Sequence, residues 1–249
     1  MHLRQTEFQQ YIERDGFAVV PSGLPEQELA QLTADLVTLA AEHDLGVRGG
    51  LRDAFRLLPA ARHLATSGPL WHLASTVLGS ECAAVRAIVF DKTPGANWKV
   101  SWHQDLTIAV RHQIEVPGFG PWSTKAGVLH VQPPAAVLQR MLTLRLHLDD
   151  CGASNGPVRV LPGSHRAGRL SGAAIDRWRG ERAELECVAL CGEVLAMRPL
   201  LLHASSPATS PAHRRILHIE YAGAELPGGL EWHEAWRPTD VDASAAVGC

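Results

Sequence analysis

The stretch SWHQDLTI, Ser101 to Ile108, places a histidine and an aspartate two residues apart. If it lies on a strand or at its end, His103 and Asp105 point to the same face, because strand side chains alternate with a period of two. Two neutral imidazoles with one carboxylate form the facial set that holds non-heme Fe(II) with open coordination positions. The stretch therefore supplies two candidate metal ligands, and a third has to come from elsewhere in the chain.

Two further pairs in the chain have the same spacing. They are His147 with Asp149 and His218 with Glu220, in a sequence that contains 13 histidines. Spacing alone does not separate these pairs from the first one. The choice depends on the sequence that surrounds each pair.

The sequence on both sides of this stretch predicts a β-rich core. After Gly79, short apolar runs alternate with turn residues: CAAVRAIVF, LTLRLHL, VRVL, LECVAL, EVLAM, LLLHA and RRILHIEY. Many short strands with Gly and Pro between them indicate a sandwich or barrel rather than repeated βαβ units. Residues 117–134 are rich in Gly and Pro and long for a structureless loop, so they form a functional lid or contain a short element.

The N-terminal part of the chain predicts helices around this core. A short helix begins at Thr6 and ends before Gly16, and the run FAVV then predicts a strand. A second helix is predicted from Pro25 to about Gly46, and a third from Pro69 to Leu78, because apolar residues recur there at helical spacing. These apolar stripes are expected to face the core.

Composition narrows the class of protein. The 249 residues, 46% of them hydrophobic, are enough for one sizeable core, and a formal charge of -3 gives no general attraction for nucleic acid. The N-terminus has no apolar signal segment and no run approaches the ~18 apolar residues of a membrane span. Five cysteines without a CxxC pair favour a reducing compartment. We expect a soluble cytoplasmic protein that binds neither nucleic acid nor membranes.

Basic charge is carried mainly by arginine. Lysine occurs only at Lys92, Lys99 and Lys125. The planar guanidinium group binds carboxylates through two hydrogen bonds, which an ammonium group does not. This composition suits an acidic small molecule as the partner.

Three blocks of sequence resemble one known family. WHQD, followed by LHLDDCGASNGPVRVLPGSHRAG and then by LLHASSPATSPAHRRILHIEY, resembles the phytanoyl-CoA dioxygenase family of Fe(II)/2-oxoglutarate-dependent oxygenases. The resemblance runs from DGFAVV near the N-terminus to about Tyr221. Its specificity lies in three blocks that occur in the family's order, since His-x-Asp alone is weak evidence.

The resemblance implies a set of iron ligands. It makes His103 and Asp105 the first two ligands and His203, in LLHAS, the third. It also places His147 and Asp149 in a strand and turn that frame the site, where they are expected to be structural. The WHQD pair is thereby preferred over the other two.

The resemblance further implies residues for the cosubstrate. Arg214 follows His203 by eleven residues, the place of the family's arginine that pairs with the distal carboxylate of 2-oxoglutarate. Ser205 matches a position whose hydroxyl assists at that carboxylate. Gln104 lies inside the motif and is grouped with these cofactor-binding residues, as a side chain behind the ligands.

The fold implied is a double-stranded β-helix, a jelly-roll, cupin-like barrel that is mainly β with N-terminal helices packed outside. This agrees with the strand pattern found independently. We expect one domain over residues 1–249, with a helical part at about 1–79, the jelly-roll core at about 80–221 and a C-terminal tail at 222–249.

The activity implied is that of a dioxygenase that uses Fe(II), 2-oxoglutarate and O2. It would hydroxylate a C–H bond of a small molecule and release succinate and CO2. Two alternatives stay open: a cupin-type metal-dependent hydrolase or isomerase, and a non-catalytic binding module on the same scaffold. Arg214 favours the dioxygenase, because a hydrolase needs no clamp for a cosubstrate carboxylate.

The substrate, the kind of oxidation and the oligomeric state are left open by the sequence. The segments expected to select the substrate are Gly46 to Phe55 and Thr107 to Pro134. Arg52 and Arg111 within them are candidates to meet an acidic group. A solvated or structural arginine is an equally good interpretation of each.

Overall fold

The computed structural model describes residues 5–42, 50–93, 95 and 97–238. Its helices are α1 (Gln5–Arg14), α2 (Glu26–Glu42), α3 (Ala54–Leu57), α4 (Pro59–Thr66), α5 (Gly68–Leu78), α6 (Ala135–Leu138) and α7 (Gly172–Glu181). Its strands are β1 (Phe17–Pro21), β2 (Leu51–Arg52), β3 (Ala83–Lys92), β4 (Val100–His103), β5 (Ile108–Ala109), β6 (Trp122–Lys125), β7 (Val128–Val131), β8 (Met141–His147), β9 (Val158–Val160), β10 (Leu185–Cys187), β11 (Glu193–Met197), β12 (His203–Ser205) and β13 (Arg214–Ala222).

The strands form antiparallel sheets. The large sheet has the order β1-β11-β8-β13-β3-β2, and a second sheet has the order β10-β9-β12-β4. A small third sheet has the order β5-β7-β6, and its first strand follows β4 of the second sheet in the sequence. Hydrogen bonds between described residues do not join these sheets into a closed barrel. The predicted mainly-β jelly-roll class is confirmed, in the form of facing sheets.

Strand β13 shows how alternation builds this arrangement. Leu217, Ile219 and Tyr221 belong to the main hydrophobic core, which includes buried residues of α1, α2, α4 and α5. The Tyr221 hydroxyl also donates a hydrogen bond to the Ala65 carbonyl in α4, at 3.1 Å. Each fully buried Leu or Ile side chain contributes about 1.5–3 kcal/mol. The helices therefore cover the outer face of the large sheet, and its inner face is left for the alternating polar residues.

Several elements differ from the sequence prediction or extend it. Residues 117–134 contain the hairpin of β6 and β7, so this segment hides a short element. Helix α2 reaches Glu42, and the predicted end near Gly46 lies outside the described residues. The described part of the C-terminal tail packs on the core, because Trp236 forms a β-bridge with Ala84 and Trp232 forms one with Val110.

The sequence did not indicate α3, α4, α6 or α7. In the part of the chain that the structure describes, no helix combines the length and the apolar character needed to cross a lipid bilayer.

Candidate active site

Two neighbouring strands bring the predicted metal ligands together. His103 ends β4, His203 begins β12, and the two residues are paired in the antiparallel register of these strands. Their ring centroids lie 4.1 Å apart. Asp105 lies between them, with Oδ1 at 3.7 Å from His103 Nε2 and Oδ2 at 3.7 Å from His203 Nε2. The donor atoms of the three residues all lie within 4.8 Å of one another, as a shared metal ion requires.

Backbone carbonyls orient both imidazole rings. His103 Nδ1 lies 2.8 Å from the Ser101 carbonyl oxygen, and His203 Nδ1 lies 2.9 Å from that of Leu201. Each Nδ1 therefore carries the proton and donates it, so that each Nε2 keeps its lone pair on the side of Asp105. Burial also lowers the pKa of His203 to about 4, so that its ring is neutral at neutral pH. Neutral nitrogen donors beside a carboxylate suit a divalent cation.

Gln104 faces away from this cavity and supports the turn that carries Asp105. Its Nε2 donates to the carbonyls of Gly168 and Leu200, at 2.8 and 2.6 Å, and its Oε1 accepts from the backbone N–H of Leu170 at 2.8 Å. Among the described residues it is not part of the cavity lining. The expectation that Gln104 binds the cofactor stays a prediction, and in this structure its whole amide is used by backbone groups.

The three candidate ligands open into a cavity between the large sheet and the second sheet. Its volume is about 250 Å³. Apolar side chains from both sheets and from the connection before β4 form part of its wall: Ile88, Phe90, Trp98, Val100 and Val158. The rest of the lining is strongly charged.

Three cations without a carboxylate partner lie at one end of the cavity. Lys92 and Arg214 are paired in the register of β3 and β13, and Arg145 comes from β8 on the other side of β13. Among the described residues, none of the three has a carboxylate within ion-pair distance. The Nε atoms of Arg145 and Arg214 are buried and have no hydrogen-bond partner. An anion that enters this end would satisfy both deficits.

Ser205 belongs to the same end. Lys92 Nζ donates to Ser205 Oγ at 3.2 Å and to the Trp98 carbonyl at 2.8 Å. Burial, and then the charges of Arg214 and Arg145, lower the pKa of Lys92 to about 8. The sequence predicted Arg214 and Ser205 here, and the structure places both in the cavity wall together with Lys92.

A tight turn holds Arg214 in position. Its Nη1 donates to the carbonyl oxygens of Gly156 and Asn155. Gly156 has φ 60°, and a Cβ there would lie 2.5 Å from the Ser206 carbonyl oxygen. Only glycine fits this left-handed turn without strain. This turn thus fixes the direction of the guanidinium group.

A chain of polar contacts crosses the inner face of the large sheet. Arg145 Nη1 donates to His218 Nδ1 at 2.9 Å, so the ring proton lies on Nε2, which faces Glu220 Oε1 at 3.4 Å. Glu220 in turn accepts from Arg86 at 3.1 Å. His218 and Glu220 line the cavity, yet their carboxylate and imidazole groups are used within this chain of contacts. They do not join the cluster of candidate ligands.

The remaining pair, His147 and Asp149, lies outside the cavity lining. His147 is buried, with 2% exposure. Asp149 accepts hydrogen bonds from the backbone N–H and the guanidinium of Arg215, with an Nε to Oδ2 distance of 2.9 Å. The expectation that these residues are structural agrees with their contacts.

The two arginines left open by the sequence have different surroundings. Arg52 lines the cavity. Arg111 is exposed and pairs with Glu231 at 3.0 Å, away from the cavity. From the segment 107–134 the cavity receives Thr107 and Lys125, whose side chains are hydrogen-bonded to each other at 2.7 Å.

Sequence reasoning missed Lys92, Arg86 and Arg145 as residues of the site. Signals for them do exist in the sequence. Arg86 and Lys92 share one face of the strand AAVRAIVFDK, and Arg145 interrupts the apolar run LTLRLHL. A cation inside a buried strand has to be paired or has to line a cavity.

Comparison with known protein families decides where the chain belongs. The family described as phytanoyl-CoA dioxygenase (PhyH) matches residues 12–216, which include all three candidate ligands and Arg214. The chain belongs to the PhyH family. Enzymes of this family use Fe(II), 2-oxoglutarate and O2, so the PhyH assignment agrees with the donor set in the cavity. No curated protein matches the chain.

Solved structures show the same fold as this PhyH chain. AviO1 from Streptomyces viridochromogenes Tue57 has a TM-score of 0.67 and 22% identity, over 92% of this chain and 99% of that one. The epimerase SnoN from nogalamycin biosynthesis, in complex with Fe3+, alpha ketoglutarate and nogalamycin RO, has a TM-score of 0.68 and 19% identity, over 94% of each chain. EctD from S. alaskensis with 2-oxoglutarate and 5-hydroxyectoine has a TM-score of 0.66 and 19% identity, over 86% of this chain and 74% of that one.

Proposed function

We propose that this protein is an Fe(II)- and 2-oxoglutarate-dependent dioxygenase that hydroxylates a C–H bond of a small molecule. The observation that carries the proposal is the presence of two complementary sites in one cavity. One is the convergent set His103, Asp105 and His203, and the other is the cation group of Lys92, Arg145 and Arg214, which has no carboxylate partner in the described part of the chain. A metal hydrolase needs the first site but has no use for the second.

The donor set fits Fe(II) by its chemistry. Two neutral imidazoles and one carboxylate, without a thiolate, hold non-heme iron on one face and leave positions for other ligands. When bound, Fe(II) supplies the site at which O2 is reduced with electrons from the oxidative decarboxylation of 2-oxoglutarate and from the substrate. The tasks of the protein side chains are binding, orientation and the exclusion of water.

His103 and His203 hold their Nε2 lone pairs toward one point, because Ser101 and Leu201 fix the opposite ring nitrogens. Arg214, Lys92 and Ser205 would bind the distal carboxylate of 2-oxoglutarate, since they combine two cations with a hydroxyl at one end of the cavity. Register places Ser205 opposite Val100 and His203 opposite His103 on the same pair of strands. A diacid anchored near Ser205 therefore extends its 2-oxo acid end toward the candidate ligands.

Apolar side chains limit water in the same space. Phe90 packs edge to face on His218, with 5.6 Å between the ring centroids, and Arg145 lies over the Phe90 ring. Val100 and Val158 close the wall beside Ser205. The exclusion of water strengthens the attraction between a carboxylate and a guanidinium group, and it protects reactive species from side reactions.

Succinate release tests the proposed reaction. The protein with Fe(II), 2-oxoglutarate and O2 is expected to release succinate, with a rate that rises when a small-molecule screen finds the substrate, and the product should gain one oxygen atom. His203→Ala should abolish release, and His147→Ala should retain it. Turnover with Zn(II) under anaerobic conditions would instead support a hydrolase, and a product of unchanged mass would support epimerisation.

A further inference from the structure

The charges of the cavity are not balanced by Fe(II) and 2-oxoglutarate. Six cationic side chains line it, against the carboxylates of Asp105 and Glu220. The cations are Arg52, Arg86, Lys92, Lys125, Arg145 and Arg214. A divalent metal ion and a doubly charged cosubstrate cancel each other, so the excess of positive charge is unchanged when both are bound. Uncompensated buried charge is costly, and a further anion would offset it.

Arg86 and Lys92 mark the two ends of the inner face of β3, and the other cations are placed relative to them. On β3 the inward residues run from Arg86 through Ile88 and Phe90 to Lys92. Arg86 is paired with Glu220 and Lys92 with Arg214 across β13. Six residues of strand separate the two ends, roughly 20 Å at ~3.3 Å per residue. 2-Oxoglutarate, a short five-carbon diacid, cannot reach from one end to the other.

Arg52 lies nearer to Arg86 than to Lys92. It lies on the edge strand β2, directly opposite Ile88 of β3. Arg86 already has a partner in Glu220, at 3.1 Å. Arg52 has no carboxylate within ion-pair distance among the described residues, although it lines the cavity. Burial and then the charge of Arg86 lower the pKa of Arg52, and the charge of Glu220 opposes this shift.

Lys125 approaches the same space from the hairpin of β6 and β7. Its ammonium donates to Thr107 Oγ1 at 2.7 Å, and Thr107 follows the candidate ligand Asp105 by two residues. Arg52, Arg86 and Lys125 line the same cavity, and after burial the charges of the two arginines lower the pKa of Lys125. Lys125 also lacks a carboxylate partner within the described part of the chain. The metal ligands thus lie between a cosubstrate end and a second cationic end.

We propose that Arg52 and Lys125 form a substrate-binding site for an anionic group, a carboxylate or a phosphate, at the end of the cavity opposite Lys92 and Arg214. That the bound anion is part of a substrate rests on the proposed function. The anion anchors one end of the substrate, while Ile88 and Phe90 contact its apolar part near the metal ligands. The substrate is therefore an acid or a phosphate ester, and a neutral molecule of the same shape is a poor ligand.

Matched pairs of probes test the anion site by calorimetry. Benzoate is compared with benzamide, and phenyl phosphate with phenol, in anaerobic titrations of the full chain loaded with Fe(II) and 2-oxoglutarate. At least one anion is expected to bind, about 10-fold or more tightly than its neutral partner. The stronger of the two anions identifies carboxylate or phosphate as the natural group. Equal binding of anion and neutral partner, or no binding by either anion, contradicts the proposal.

Variants locate the site. Arg52→Gln and Lys125→Gln should each weaken the anion by about 10-fold and leave the affinity for 2-oxoglutarate unchanged. Arg111→Gln and Lys99→Gln, at exposed positions outside the cavity lining, serve as controls and should bind the anion like the wild type. Anion binding that survives both cavity variants, or that is lost only in Arg214→Gln, overturns the assignment.

The proposed function fails in a different way. If 2-oxoglutarate does not bind while the probes still bind the metal-free protein through Arg52 and Lys125, the dioxygenase proposal is wrong and the anion site stands. If 2-oxoglutarate binds and the probes do not, the anion site is wrong and the dioxygenase proposal is unaffected.

Discussion

Arg214 and Arg215 are neighbours in sequence but have opposite surroundings. Arg214 is buried with 4% exposure and lines the cavity, whereas Arg215 forms an ion pair with Asp149. Arg214→Gln is expected to weaken 2-oxoglutarate binding by about 10- to 100-fold, because a charge-assisted contact is worth ~1.5–3 kcal/mol. Arg215→Gln should change this affinity little. Anaerobic Fe(II) titrations with 2-oxoglutarate measure both, and a larger loss in Arg215→Gln would show that the cosubstrate binds elsewhere.

Lys92 gives the cosubstrate end a pH dependence. In the free protein its pKa is lowered to about 8, by burial and then by Arg214 and Arg145. A bound carboxylate raises the pKa of the ammonium group again, so binding takes up a proton above pH 8. The dissociation constant of 2-oxoglutarate should therefore increase as the pH rises from about 8 toward 10.

The comparison of two lysine variants isolates this effect. Lys92→Met should bind more weakly at pH 7 and lose the part of the pH dependence that begins near 8. Lys99→Met, an exposed position, should keep the wild-type profile. If all three proteins show the same slope between pH 8 and 10, another group is responsible.

Alternation along single strands predicts which residues share a face, but not which residues meet across strands. The two faces of β13 follow from the pattern RRILHIEY, and His218 and Glu220 line the cavity together with Arg214. The grouping of Lys92 with Arg214 depends on the register between β3 and β13. That register is set by packing between distant segments, so a single sequence does not reveal it.

At the scale of elements, the turn after β4 depends on Gln104. Its amide makes three hydrogen bonds to backbone groups of other segments. Gln104→Leu leaves these groups unpaired and should lower the free energy of unfolding by at least about 2 kcal/mol. For a chain of this size that lowers Tm by roughly 4 °C or more. Gln113→Leu, at an exposed position, is the matched control.

The affinity of Gln104→Leu for Fe(II) shows whether Gln104 positions the metal ligand Asp105 or only stabilises the fold. Asp105 directly follows Gln104, and its backbone N–H donates to the Pro199 carbonyl at 2.9 Å. Loss of such a support typically weakens metal binding by about 10- to 100-fold. If Gln104→Leu lowers Tm but binds Fe(II) like the wild type, its role is purely structural.

Helices with a long stripe of large apolar residues could be predicted, whereas α7, which has none, could not. The predicted first and third helices correspond to α1 and α5, and FAVV corresponds to β1. Helix α7 has no buried residue, so its sequence GAAIDRWRGE carries no stripe that would indicate it. The hairpin of β6 and β7 was not predicted because each of its strands has only four residues and the polar run STKAG lies between their apolar parts.

At the scale of the whole molecule, the cavity lies between two sheets that contribute different kinds of residues. The second sheet supplies His103, His203 and Ser205, and the large sheet supplies most of the cations. The strand pattern and the family resemblance together predicted the jelly-roll class and its outer helices. The order of strands in the two larger sheets could not be predicted in this way, because their pairings join segments that are far apart in sequence.

Anaerobic titration of the Fe(II) protein with 2-oxoglutarate, followed by visible absorption, tests the metal site most directly. A charge-transfer band should appear in the wild type and in His147→Ala, because His147 lies outside the cluster of His103, Asp105 and His203. It should be absent in His103→Ala and His203→Ala, with the protein still folded by circular dichroism. A band that survives in both of these variants and is lost in His147→Ala would contradict the assignment of the site.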